Sequence, residues 1–377
     1  MAKPAEKMKN IRKYVPLSTF ICFAVALVSL ITLGFIKRSA DTAEFFNRTT
    51  GRAIRFTLTN IFDIFPFSFV EILVIASPVL AALVVFAMIK KGKKSLAHAT
   101  RFFCVLLSVA LVIFSCFVFG YEASYYGYPI EKNTNVERRA LSTEELSRAA
   151  QILHGHMEKE IDSVSYKDSG SSEMTYSFSE LSKKLNVAAK SFCEKYPEYQ
   201  SMNSRIKPVM LSEPWTYTHI SGLYSFFTGE ANLNVNYPDF IIVTSAAHEM
   251  SHQRGVGKEE EADFAAFLIC LESDDPYIRY CGCLEIYRLI MGRLYSYDSE
   301  RWQFQRAVED TRIRGDIDAF AVFYEKYADN VAAKVNDVIN DAYITSHNQP
   351  AGIQSYGLVV DLAVSYILSN ANLYSEN

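Results

Sequence analysis

Three long apolar runs in the first third of the chain leave it few options for folding. Tyr14 to Ile36 is an uncharged run of 23 residues, Pro66 to Ile89 carries a lone Glu71, and Phe102 to Gly120 carries no charge. At about 1.5 Å per helical residue the first run reaches about 34 Å, enough for a hydrocarbon core about 30 Å thick. An ordinary soluble enzyme is excluded, and three transmembrane helices are expected, at about 14–36, 66–89 and 102–120. The first run is longer than the apolar core of a signal peptide and lacks a convincing small-residue cleavage site before Lys37-Arg38, so it reads as a retained span.

Charge sets the expected orientation. Lys3, Lys7, Lys9, Arg12 and Lys13 precede the first run, and Lys90, Lys91, Lys93, Lys94 and Arg101 form a basic loop between the second and third. These ten outnumber the five Lys and Arg of the Lys37 to Phe65 connection, so the N-terminus is expected in the cytoplasm. Three spans then place residues 121–377 outside the cell membrane, with YEASYYGYPI (Tyr121 to Ile130) at the interface. The 37–65 connection alternates Arg48, Arg52 and Arg55 with Phe45, Phe46, Ile54 and Phe56, which fits either an amphipathic helix in the outer interface or a solvated loop. Of 38 basic and 42 acidic residues, 15 and 5 fall in 1–120, leaving 23 and 37 in 121–377, a net charge of −14. An acidic domain argues against nucleic acid as a partner. The expected partners are the lipid bilayer and a peptide or protein substrate.

That substrate class comes from Ala246-Ala247-His248-Glu249-Met250-Ser251-His252-Gln253-Arg254-Gly255. On a helix His248 and His252 share a face one turn apart, so two imidazoles converge on one cation with Glu249 beside them, the HExxH arrangement of a zinc hydrolase. Zinc takes neutral imidazole and carboxylate ligands, and a catalytic site keeps a position for water, whose pKa falls from about 15.7 to about 7. Glu249 is the expected general base. With only seven His in 377 residues, the motif rarely arises by chance. Gly255 and Gly257 can end the first helix, and KEEEADFAAFLICL (Lys258 to Leu271) reads as a second. There Glu259 and Asp263 share a face, Glu259 as third zinc ligand and Asp263 as the group that orients a ligand histidine. Glu260 and Glu261 are rival ligands. The metzincin pattern needs histidine at position 258, where this chain has Lys258, which leaves a glutamate zincin.

The rest of the domain reads as helices around a small sheet. Ser142-Thr143-Glu144-Glu145 is a capping box opening a helix to about Ile161, with His154 and His156 on different faces as surface histidines. Ser179 to Tyr196 is another helix, and Arg205 to Leu211 and Ser225 to Val235 suggest strands, with Gly229 to Asn234 as the edge that could pair with an extended peptide. Pro238-Asp239 starts the motif helix, Pro276 to Tyr297 is a long helix, Phe304 to Val338 is helical with a break at Gly315, and Gln354 to Asn370 is the last helix. Cys193, Cys270, Cys281 and Cys283 read as buried thiols, with a disulfide conceivable only for Cys193.

Four blocks carry a resemblance: SGLYSFFTGEANLN (Ser221 to Asn234), AHEMSHQRG, EEEADFAAFLICL, and NDAYITSHNQPAGIQSYGLVVDL (Asn340 to Leu362). In that order they resemble the bacterial membrane family known as domain of unknown function 3810, over nearly the whole chain and its three spans. The resemblance implies a zincin-like domain and leaves the substrate open. Gluzincins add a downstream Tyr or His that donates to the oxyanion of the tetrahedral intermediate. Tyr356, at the centre of the last block, is the first candidate for it, with Tyr343 and His347 as rivals.

The expected fold is mainly α with a small β-sheet (α+β): an anchor of three transmembrane helices over 1–120, then a zincin-like (gluzincin) domain over 121–377. The expected function is a membrane-anchored zinc metallopeptidase, with Zn2+ on His248, His252 and Glu259. A non-proteolytic zinc-binding protein of envelope assembly or sensing is the alternative. A membrane protease of the prenyl-protein type, its motif at the bilayer, fits less well because the His248 helix lies outside the apolar runs.

Overall fold

The computed structural model describes residues 12–371, leaving aside the side chains of Ile353, Ser355 and Tyr356. The apolar runs form α1 (Leu17–Ile36), followed after two short helices, α2 (Ala40–Phe46) and α3 (Arg52–Phe62), by α4 (Phe69–Lys94) and α5 (Leu96–Gly120). α1, α4 and α5 are each long and apolar enough to cross a membrane, which marks a multi-pass membrane protein. The basic loop expected between the second and third spans is instead helical. α4 runs on through Lys94, since lysine favours helix and suits its C-terminal end. Ser95 alone separates it from α5, with its hydroxyl accepting the His98 N–H.

Beyond the spans the chain is mostly helical with small sheets. Its longer helices are α6 (Thr143–Glu160), α7 (Phe178–Lys195), α8 (Asp239–Gln253), α9 (Glu259–Leu271), α10 (Pro276–Tyr297), α11 (Ser299–Val308), α12 (Thr311–Tyr327), α13 (Val331–Ser346) and α14 (Val359–Ser369). α6 opens on the capping box read from sequence, Ser142 and Glu145 each accepting the other's main-chain N–H. α10 runs behind the site, with Tyr280, Leu284 and Tyr287 fully buried. Strands β1 (Ser165–Tyr166) and β2 (Ser172–Glu173) pair antiparallel. The second sheet orders β3 (Ile206–Pro208), β5 (Glu230–Leu233) and β4 (Gly222–Ser225), with β3 parallel and β4 antiparallel to β5.

This order corrects the expected edge. Gly229 to Asn234 holds the central strand, paired on both sides and buried throughout, and the edge beside the motif helix is β4. Gly315 also does not break a helix. It lies inside α12, where a Cβ would stand 2.6 Å from the Gly170 carbonyl, and the breaks fall on either side of that helix. His154 is not a surface residue: it is 8% exposed, and its Nε2 accepts the Asp310 N–H. Cys193, Cys270, Cys281 and Cys283 are buried and free.

The 37–65 connection is not a solvated loop: it is helical, exposes Phe45 and Phe56, and is bonded to the domain on its other face. Arg55 is buried and donates to the carbonyls of Gly120 and Asn47. Asn47 Nδ2 donates to Gly255 O at 3.0 Å, and Thr59 Oγ1 to Gly229 O at 2.9 Å. The start of α4 is fixed to the sheet as well. Glu230 accepts the N–H groups of Phe69 and Val70 at 3.0 and 3.1 Å, and Ser68 Oγ bonds Asn232 Oδ1. Glu71, the lone charge of the second apolar run, accepts the N–H groups of Met210 and Leu211. The C-terminal ends of α1 and α5 and the N-terminal end of α4 thus meet the folded domain, and Lys90 to Lys94 lie at the far end of the bundle.

Candidate metal centre

The motif lies on α8, which ends at Gly255 with φ +99°, a conformation glycine adopts without strain. The chain then turns into α9, whose first residue is Glu259 and whose N–H is accepted by Gln349 Oε1. Two helix segments therefore meet at one point. His248 Nε2 is 3.1 Å from His252 Nε2 and 3.2 Å from Glu259 Oε2, and His252 Nε2 is 3.6 Å from the same carboxylate oxygen.

The other nitrogen of each ring is already engaged. His248 Nδ1 is 2.6 Å from Asp263 Oδ1, and His252 Nδ1 is 2.9 Å from Val256 O, so each Nδ1 is placed as the donor. Two Nε2 lone pairs and a carboxylate oxygen then face one another, which only a cation or an added proton reconciles. Donors about 2.0–2.1 Å from a tetrahedral zinc stand about 3.3 Å apart, close to the separations seen here, so these residues fit the ion. Among the described residues, His248, His252 and Glu259 form the group able to hold a metal. The rival carboxylates turn elsewhere, Glu260 to Arg138 and Glu261 to Lys258.

Electrostatics agrees with this crowding. Burial opposes charge on His248, but Asp263 and Glu259 outweigh it and push its pKa well above the ordinary 6.5. Burial likewise works against the Glu259 carboxylate, yet the His252 and His248 imidazoles hold it well below the usual range. Glu249 is buried beside them. Desolvation raises its pKa to about 7 against the lowering pull of His248 and His252.

All four side chains line a cavity of about 680 Å³. β4 forms one wall, and Gly222 there presses on the base: a Cβ at that position would stand 2.5 Å from Glu249 Oε1. α12 and α13 also line the cavity, through Tyr324, Ile339 and Tyr343. Tyr343 Oη is 2.9 Å from Tyr125 Oη. His347 is turned away, its Nε2 3.2 Å from Glu122. Tyr356 falls on the 3-10 segment Gly352–Leu358, and its side chain lies outside the described residues. Sequence reading missed Tyr121, whose hydroxyl is 2.9 Å from His252 Nδ1 and 3.4 Å from Val256 O. Its place after an apolar run signals only an interfacial aromatic.

Fold and site together define a multi-pass membrane protein whose α+β domain carries a partly buried His–His–Glu cluster with a further acid, Glu249, beside it. The profile of a family described as protein of unknown function (DUF3810) matches residues 46–364, and the chain belongs to that family. No curated protein and no solved structure matches it.

Proposed function

We propose that this protein is a membrane-anchored, zinc-dependent metallopeptidase whose 121–377 domain lies outside the cell membrane. The observation that carries the reading is the convergence of His248 Nε2, His252 Nε2 and Glu259 Oε2 in a cavity that also holds Glu249. His248, His252 and Glu259 would hold the zinc, and Asp263 and Val256 O would fix the two rings through Nδ1. When bound, zinc supplies a Lewis acid that lowers the pKa of water and polarises a carbonyl.

The chain's own residues supply the rest. Glu249, near 7, is poised to take a proton from water and deliver it to the leaving amine. The free edge of β4 offers main-chain groups to an extended peptide. Tyr343 lines the cavity as a donor for the oxyanion, and Tyr356 remains its rival. The topology is supported by ten Lys and Arg in 1–13 and 90–101, the latter group at the end of the bundle away from the domain.

The test uses full-length protein in detergent, with zinc measured by elemental analysis and hydrolysis followed on casein. Wild type and Glu249→Gln should hold about one zinc per chain, His248→Ala and Glu259→Ala should lose it, and only wild type should cut. Zinc content and hydrolysis unchanged in His248→Ala would refute the assignment. Zinc without turnover in wild type would leave a non-proteolytic metal protein.

A further inference from the structure

We infer that the site cuts polypeptides anchored in the same membrane, within a few residues of where they leave the bilayer; this rests on the metallopeptidase reading above. The strand that borders the site leads straight to the membrane. Gly222, at one end of β4, abuts Glu249. Just past the other end, the Phe226 ring lies 4.5 Å, centroid to centroid, from Phe117, in the last turn of α5. Phe117 is three residues from the end of the apolar span, where hydrocarbon gives way to headgroups.

The four-residue step from Gly222 to Phe226, at about 3.3 Å each, puts the general base within about 13 Å of that level. A chain leaving the bilayer beside α5 and pairing with β4 therefore reaches Glu249 after about four to eight residues. Tyr121 makes the same point from the other side, since the residue that closes the span touches His252.

The rim of the cleft fits such a chain. Of the residues that line the cleft, Leu223 on β4 is 43% exposed and Ile339 on α13 63%, and Phe227 at the turn after β4 is 50% exposed. Exposed apolar side chains beside the cleft suit the apolar residues that flank a span. Depth here selects the place of cleavage, as the spacing of a fixed blade above a surface would.

The experiment reconstitutes full-length protein with zinc in liposomes, together with a single-span polypeptide carrying a uniform, unstructured repeat of about forty residues on the domain side. The new termini are mapped by mass spectrometry, with Glu249→Gln protein as the uncut control. Cuts should cluster within about the first eight to ten residues from the span. Cuts spread evenly along the repeat would overturn the proposal, as would an uncut anchored chain beside degraded casein, and both leave the peptidase reading standing. If neither the anchored chain nor casein is cut, both readings fall.

Discussion

The hydroxyl of Tyr121, the residue that closes the third membrane helix, stands 2.9 Å from Nδ1 of His252, one of the two motif histidines. His252 Nδ1–H also faces Val256 O, and Tyr121 Oη is placed to accept from the ring while donating to that carbonyl. The end of a membrane span thus helps fix which nitrogen of His252 turns to the cluster.

Tyr121→Phe keeps the ring packed on Tyr125 and Tyr224 and removes only the hydroxyl. Loss of a group that orients a metal-bound histidine lowers metal affinity about 10- to 100-fold. Because Val256 O stays in place, a loss near the lower figure is expected, read by chelator competition on the full-length protein. An unchanged zinc affinity would show that the carbonyl alone orients the ring.

Glu230 carries the joint between sheet and membrane. Its carboxylate accepts two N–H groups at the start of α4, which have no earlier turn to bond to. Glu230→Ala leaves both without that partner at a part-buried site and should cost about 1–3 kcal/mol. Glu230→Gln keeps one accepting oxygen and should cost less. Thermal unfolding in detergent measures both, and equal losses would mean that the carboxylate does not carry the joint.

The elements legible in sequence were those with local signals. The capping box at Ser142, Pro276 at the start of α10 and the HExxH spacing on α8 each specify structure within a few residues. The pairing of His248 with Glu259 and Asp263 was also legible, because two helices joined by a glycine turn leave few registers. β4 was not, since four residues led by glycine give no usable alternation, and its neighbour carries the stronger pattern. The contacts of Tyr121 with His252 and of Glu71 with Met210 span well over a hundred residues, and no local propensity encodes them. A lone acid in an apolar run does imply a partner, and Glu71 could have been read as a docking residue on that ground.

Gly222 tests how closely the edge strand and the base must approach. An added Cβ would lie 2.5 Å from Glu249 Oε1 and 2.7 Å from its Cγ, so Gly222→Ala must move the carboxylate or the strand. Overpacking of this kind costs about 1–3 kcal/mol. Hydrolysis should fall more than stability does, because a displacement of about 1 Å at a catalytic group can cost about 100-fold. Full activity in Gly222→Ala would show that β4 gives way freely and does not position Glu249.

Metal removal should make stability depend on pH in a definite direction. Burial raises Glu249 to about 7 from an ordinary 4.5, so the folded, metal-free protein holds this proton more tightly than the unfolded chain. The stabilisation is complete below 4.5 and is lost as the pH rises through about 7, a change of about 3 kcal/mol at most. His248, raised above 6.5 despite its burial because of Asp263, acts in the same direction from that pH upward. The Tm of metal-free protein should therefore fall between pH 5 and pH 7.5, and the fall should be shallower in Glu249→Gln. Zinc favours the ionised acid and the neutral ring, so the Tm gained on adding it should grow over the same range. A metal-free Tm that stays level or climbs with pH would mean that Glu249 is already ionised in the folded protein, and that its environment does not poise it for proton transfer near neutrality.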